Sequence, residues 1–172
     1  MIQTLQQIVS ILTAILLTLQ ATLAGMPAGT QLAQVSPTAS VSLSPSSYSA
    51  SVNNTFTVNI AVNTGGQGAY GVDINHLHFN PSVLQVVDAD GASAGTQIAA
   101  GALMPLTIIN LADNTGGSIQ FSQLANPGST YNGSGTLAVI TFRALAVGIS
   151  NTAFDFSLGN STDTNVAGLG GD

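Results

Sequence analysis

The sequence predicts an all-β sandwich carried behind one N-terminal hydrophobic helix. Three observations lead there. From Val41 onward the chain is a series of short β-rich runs separated by Pro, Asn and Gly turn residues. No helical period recurs beyond the N-terminus, and the one long apolar run, Ile8 to Ala24, carries no charge. Many short strands at close spacing, with turn chemistry between them, are the pattern of two packed sheets.

The N-terminal run IVSILTAILLTLQATLA cannot sit exposed in water. Three readings of it stay open: a removable signal, a retained membrane anchor, or a helix packed in an assembly. The signal reading has an h-region from Ile8 to Leu19 and small residues up to Ala24 before Gly25, but its n-region MIQTLQQ lacks positive charge. Residues 1–24 are thus a signal, anchor or assembly helix. Residues 25–40, rich in Pro, Ala, Ser and Thr and without a period, read as a flexible tether. Residues 41–172 form the sandwich. All three readings of the helix place that sandwich outside the cytoplasm, extracellular or at the cell surface.

Phe56, Val58, Ile60 and Val62 alternate with polar or small residues, as in a half-buried strand, and Ile140 and Phe142 do the same. Further strands are expected at Val41–Leu43, Val83–Val87, Leu106–Leu111, Ser118–Leu124 and Ala153–Leu158. Turns at Ser44-Pro45, Asn80-Pro81, Asn126-Pro127-Gly128 and Asn132-Gly133 separate them. One strand is irregular. Val72 and Ile74 share a parity that Leu77 and Phe79 reverse, so burying all four requires one extra residue at Asn75-His76, a β-bulge.

Composition removes whole classes of function. Charged residues make up 5% of the chain, seven Asp and the single Arg143, where soluble proteins carry about 25%. A phosphate backbone needs clustered Lys and Arg, so nucleic acid is excluded as a partner. The absence of cysteine excludes disulfides and thiolate zinc sites.

The segment GAYGVDINHLHFNPSVLQVVDADG, Gly68 to Gly91, resembles the most recognisable part of cohesin domains, where an apolar strand enters a Tyr/Phe-Asp-Pro-x-Val-Leu turn. Here the turn reads Phe79-Asn80-Pro81-Ser82-Val83-Leu84. GSIQFSQL and GTLAVITFRALAVG resemble two later strands in the family's order, so that with VSLSPSSYSASVNNTFTVNIAV the likeness runs from about Val41 to Asp172. The resemblance implies a jelly-roll β-sandwich, related in fold to carbohydrate-binding modules. It also implies a non-catalytic module for a dockerin-like protein or a glycan, in polysaccharide breakdown or adhesion. The nearest counterparts of dockerin-contacting residues are Asp73 and Asn75, although the bulge shifts their register by one. The charged residues that usually rim the dockerin face are missing. The chain reaches GLGGD about where the family begins its last strand, which implies either that the chain is truncated or that another segment fills that slot; a vacant edge would accept a strand from a neighbour.

The remaining candidates are few. His76 and His78 form an H-x-H that the bulge turns away from the core, and they join Asp73 and Asn75 as candidate binding residues. Two imidazoles alone do not close a metal site, so no metal centre is expected. Asp88 and Asp90 offer hard oxygen ligands for calcium, but an ordinary turn uses the same residues, so no cofactor is expected. Asn53, Asn132 and Asn160 head N-x-S/T sequons. Arg143 is expected to pair with an Asp, and Tyr48, Tyr70 and Tyr131 are candidates for stacking on sugars. No serine or carboxylate sits in a catalytic constellation, so the chain is not expected to be an enzyme. The leading expectation is an extracellular binding module. The alternative is a pilin-like filament subunit, self-assembling through its helix or an open sheet edge, with membrane contact if the helix is retained.

Overall fold

The structure, a computed structural model, describes residues 39–157 and 159–168. The helix expected at 1–24, most of the 25–40 tether and the closing residues 169–172 lie outside the described residues. Within them ten strands and no helix occur. They form two antiparallel sheets, one ordered β1-β2-β8-β4 with β5 also on β8, the other β10-β3-β7-β6 with β9 also on β3. The strands are β1 (Ser40–Ser44), β2 (Thr55–Asn63), β3 (Ala69–His78), β4 (Leu84–Val86) and β5 (Ala99–Ala100). They continue with β6 (Leu106–Asp113), β7 (Ser118–Leu124), β8 (Ser134–Ala144), β9 (Ala153–Phe154) and β10 (Asn165–Gly168).

The expected alternation defines the core. Val58, Ile60 and Val62 of β2 are buried with Leu137, Ile140 and Phe142 of β8. Across the sandwich, Val72, Ile74 and Leu77 of β3 are buried with Ile119 and Phe121 of β7. Phe142 anchors an aromatic row, meeting Phe79 edge-on at 5.5 Å and Phe56 at 5.8 Å. Such pairs add about 0.5–1.5 kcal/mol beyond area burial.

The bulge stands where the parity reversal places it. Ile74 pairs with Phe121 and Leu77 with Ile119, so Asn75 and His76 together oppose Gln120. That one extra residue lets Ile74 and Leu77 both face the core with no exposed surface.

Two expectations are corrected. The strand expected over Ala153–Leu158 is only Ala153–Phe154, because beyond it the backbone bonds elsewhere. The Asp155 N–H takes the His76 carbonyl at 2.9 Å and the Ser157 N–H takes the Asp163 carboxylate. Among the described residues Arg143 makes no ion pair with an Asp; the carboxylate of Asp155 stands beside the two histidines, 3.1 Å from His78 and 3.9 Å from His76. Arg143 instead lies between Thr55 and Gln85 in the β2-β8-β4 register.

Candidate functional site

The outer face of the β10-β3-β7-β6 sheet gathers most of the candidate residues. Parity assigns its members: Val72, Ile74, Phe121 and Gln123 point inward, so Gly71, Asp73, Gln120, Ser122 and Leu124 point outward. On the edge strand, Leu106 pairs with Leu124, Ile109 with Ser122 and Leu111 with Gln120, while Ile108 is the extra residue of a second bulge. Leu106, Ile109, Leu111 and Leu124 are 38%, 42%, 46% and 41% exposed. Exposed apolar groups contiguous on one face mark interaction sites more than scattered ones do.

A glycine shapes this face. A side chain at Gly71 would collide with Leu124 Cδ2 and stand 3.1 Å from the Gln123 carbonyl. Leu124 therefore lies over the bare backbone of β3.

Across the sheet the face turns polar. Asp73 bonds Ser122, and burial pushes its carboxyl above the usual carboxylate range, the hydrogen bond opposing in part. The Asn75 amide donates to the Thr162 carbonyl at 2.6 Å and its oxygen accepts from Gln120 at 3.3 Å, tying the bulge to the segment before β10. His76 and His78 face outward as expected, with rings parallel within 6° and centroids 5.6 Å apart. Asp155, which sequence reasoning did not single out, joins them. Its Oδ2 lies 3.1 Å from His78 Nε2 and 3.9 Å from His76 Nδ1. The β3-β9 register brings it there, 77 residues beyond His78, with Leu77 opposite Phe154 and His78 opposite Ala153. No local spacing could have signalled it.

Most of the other candidates bond or pack within the fold. Asp88 Oδ1 accepts from the N–H groups of Asp90 and Gln97, and Asp90 accepts from Ala92 N–H and Ser93 Oγ. These are turn bonds, and they hold the Asp90 carboxyl below its usual range, the Ser93 hydroxyl first and the Ala92 N–H second. Among the described residues no group of three or more His, Cys, Asp or Glu is placed so that it could hold a metal ion. The Asn132 amide donates to Gly66 O and the Asn160 amide to Asp163, whereas Asn53 stands exposed at a φ of 70°. Tyr48 stacks on Phe56 at 4.5 Å, Tyr131 packs against the core and donates to the Ser134 carbonyl, and Tyr70 is exposed.

The family model described as cohesin domain matches residues 41–169. Among curated proteins none matches the sequence. A type II cohesin domain from the cellulosome of Acetivibrio cellulolyticus is similar in structure, with a TM-score of 0.59, 20% identity, and coverage of 79% of this chain and 87% of that one. A type II cohesin–X-dockerin complex from the same organism, an N-terminal interface mutant, gives a TM-score of 0.56 at 16% identity over 77% and 87%. The second type II cohesin module of its adaptor ScaA scaffoldin gives 0.56 at 18% over 78% and 80%. At these identities the likeness is one of fold.

Proposed function

Because the chain belongs to the cohesin domain family, we propose that it is a non-catalytic extracellular or cell-surface module that binds a dockerin-like protein through the outer face of the β10-β3-β7-β6 sheet. The observation that carries this reading is the exposed apolar group Leu106, Ile109, Leu111 and Leu124, bordered by the polar row Gln120, Ser122, Asp73 and Asn75. An apolar centre that excludes water, with hydrogen-bonding groups beside it, is the usual anatomy of a protein interface. The cohesin solved with an X-dockerin supports a partner of that class. A role near polysaccharide breakdown rests on the same support. A glycan partner draws less, because Tyr48 and Tyr131 spend ring surface on Phe56 and the core.

A calorimetric titration of the full chain with dockerin modules, parent against Leu111→Asp, tests this reading. Saturable heat lost in the variant supports it. Equal heat from both proteins contradicts it.

A second reading, self-assembly through an open sheet edge, is favoured by β1. Among the described residues β2 is its hydrogen-bonded neighbour on one side and no strand pairs with the other. Concentration-dependent sedimentation of the full chain tests that reading, and a monomer at all concentrations removes it.

A further inference from the structure

We propose that Asn53 is the attachment point of an N-linked glycan, and that the sugar lies over an apolar end of the sandwich. The inference rests on the extracellular placement proposed above and is independent of the docking face.

Three N-x-S/T sequons occur, headed by Asn53, Asn132 and Asn160. The fold separates them. The Asn132 amide donates to the Gly66 carbonyl at 3.0 Å, and its oxygen accepts from Thr64 Oγ1 at 3.3 Å. The Asn160 amide donates to Asp163, and its oxygen accepts from Thr162 Oγ1 at 2.7 Å, which occupies the hydroxyl of its own sequon. Attachment at either position breaks bonds that hold its loop. Among the described residues the Asn53 side chain enters no hydrogen bond, its bonding being through the backbone N–H, and Asn53, Asn54 and Thr55 are all exposed.

The backbone presents this sequon at the tip of a turn. The Asn54 N–H donates to the Ser51 carbonyl at 3.0 Å, which closes a tight turn with Val52 and Asn53 at its centre. Asn53 has a φ of 70°, and a left-handed third position in such a turn takes Gly or Asn. The residue the turn requires is thus also the one that offers a free amide.

The turn is bonded to the end of β8. The Asn53 N–H donates to the Ala144 carbonyl at 2.7 Å, and the Ala144 N–H to the Asn54 carbonyl at 3.0 Å. Beyond Ala144 the chain runs Leu145-Ala146-Val147-Gly148-Ile149, without a charge. Val147 and Ile149 are 94% and 82% exposed, more than any other large apolar side chain among the described residues. Leu145 and Val52, which flank the paired backbones, are exposed as well. Contiguous apolar surface of this kind is a liability unless something covers it. A chain with 5% charged residues has little repulsion to keep such an end apart from other surfaces. A glycan is bulky and solubilising, and one rooted at Asn53 stands beside the base of this loop.

The chain supplies the nucleophile alone. Asn53 Nδ2 attacks the anomeric carbon of an oligosaccharide carried on a lipid pyrophosphate. The C–N bond forms, the bond from that carbon to the pyrophosphate oxygen breaks, and the lipid pyrophosphate leaves. The amide proton passes to a base of the membrane transferase that holds both substrates.

The test is mass spectrometry of peptic peptides from the full chain, recovered separately from the surface and the cytoplasm of its native cells. The surface chain should carry sugar mass on the peptide containing Asn53, at higher occupancy than on those containing Asn132 or Asn160. Asn53→Asp, which suits the left-handed turn, and Thr55→Val, which keeps Asn53 itself, should each remove it. In sedimentation both variants should self-associate at lower concentration than the modified parent, an excess that Val147→Ser/Ile149→Ser removes. A surface chain whose Asn53 is no more occupied than the other two sequons overturns the inference and leaves the placement standing. A chain found only in the cytoplasm fails the placement and the inference together. Equal association of parent and variants overturns the covering role.

Discussion

Leu106 stands directly opposite Leu124 across the β6-β7 pair, both on the outer face of their sheet and both well exposed. A neighbouring glycine makes this arrangement possible. Gly71 pairs with Leu124 from the other side, and any Cβ there would meet the leucine side chain. Gly71→Ala should therefore push Leu124 off the face while the sheet persists. The expected cost to folding is about 1 kcal/mol, since a flexible leucine end can yield. Partner binding should fall by more than the stability does, as comparison of a thermal melt with a binding isotherm would show.

The bulge carries a larger share of stability. Deleting His76 restores plain alternation and drives either Ile74 or Leu77, both fully buried, to the surface. Fully burying one such side chain is worth about 1.5–3 kcal/mol, and a shifted strand exposes more than one. The deletion should lower the midpoint of chemical unfolding markedly or abolish the transition. An unchanged midpoint would show that the strand re-forms its register elsewhere.

Asn114 clasps the two sheets together. Its Oδ1 accepts from Val86 N–H at 2.7 Å and its Nδ2 donates to the Val86 carbonyl at 3.0 Å. Asn110 does the same for Ile98, at 2.9 and 2.8 Å. Each amide substitutes for one rung of a missing strand. Asn114→Ala leaves both Val86 groups unpaired in a partly buried setting, and a loss of about 1–3 kcal/mol is expected from denaturant unfolding.

Two carboxylates should respond to pH with opposite sign. Burial raises Asp73 above its usual value, so the folded chain holds that proton more tightly than the unfolded chain does. Stability is then lost as pH rises from ~3.9 through the raised value, and the penalty persists above it. Asp73→Asn keeps an oxygen for Ser122 and should melt at or above the parent near neutral pH, an advantage that vanishes in acid. Asp113 is held low by the backbone N–H groups of Gly116 and Thr115. Its contribution is present above the usual carboxylate value and is lost as pH falls through the lowered one. Asp113→Asn should therefore melt below the parent near neutral pH, with the gap closing in acid.

Much of the fold was legible because sheet periodicity is local. The run Phe56 to Val62 announces β2, Ser118–Leu124 matches β7 end for end, and the parity reversal at Asn75-His76 locates the bulge. Two of the short strands were not legible. Ala99–Ala100 and Asn165–Gly168 have too few residues to show a period, and they are strands because β8 and β3 offer them free edges. The proposed docking face was legible only in part. Leu106–Leu111 reads as a strand, but a continuous apolar run does not say which of its faces is uncovered. Asp155 was invisible because nothing nearby in sequence links it to the histidines it meets.

The most direct test of the central claim immobilises the full chain, as parent and as Leu111→Asp, and exposes both to type II dockerin modules and to a surface extract of the source organism. If the β10-β3-β7-β6 face is the docking surface, the parent retains a protein partner that the variant releases, while the two melt alike. Retention by both, or by neither, would contradict it.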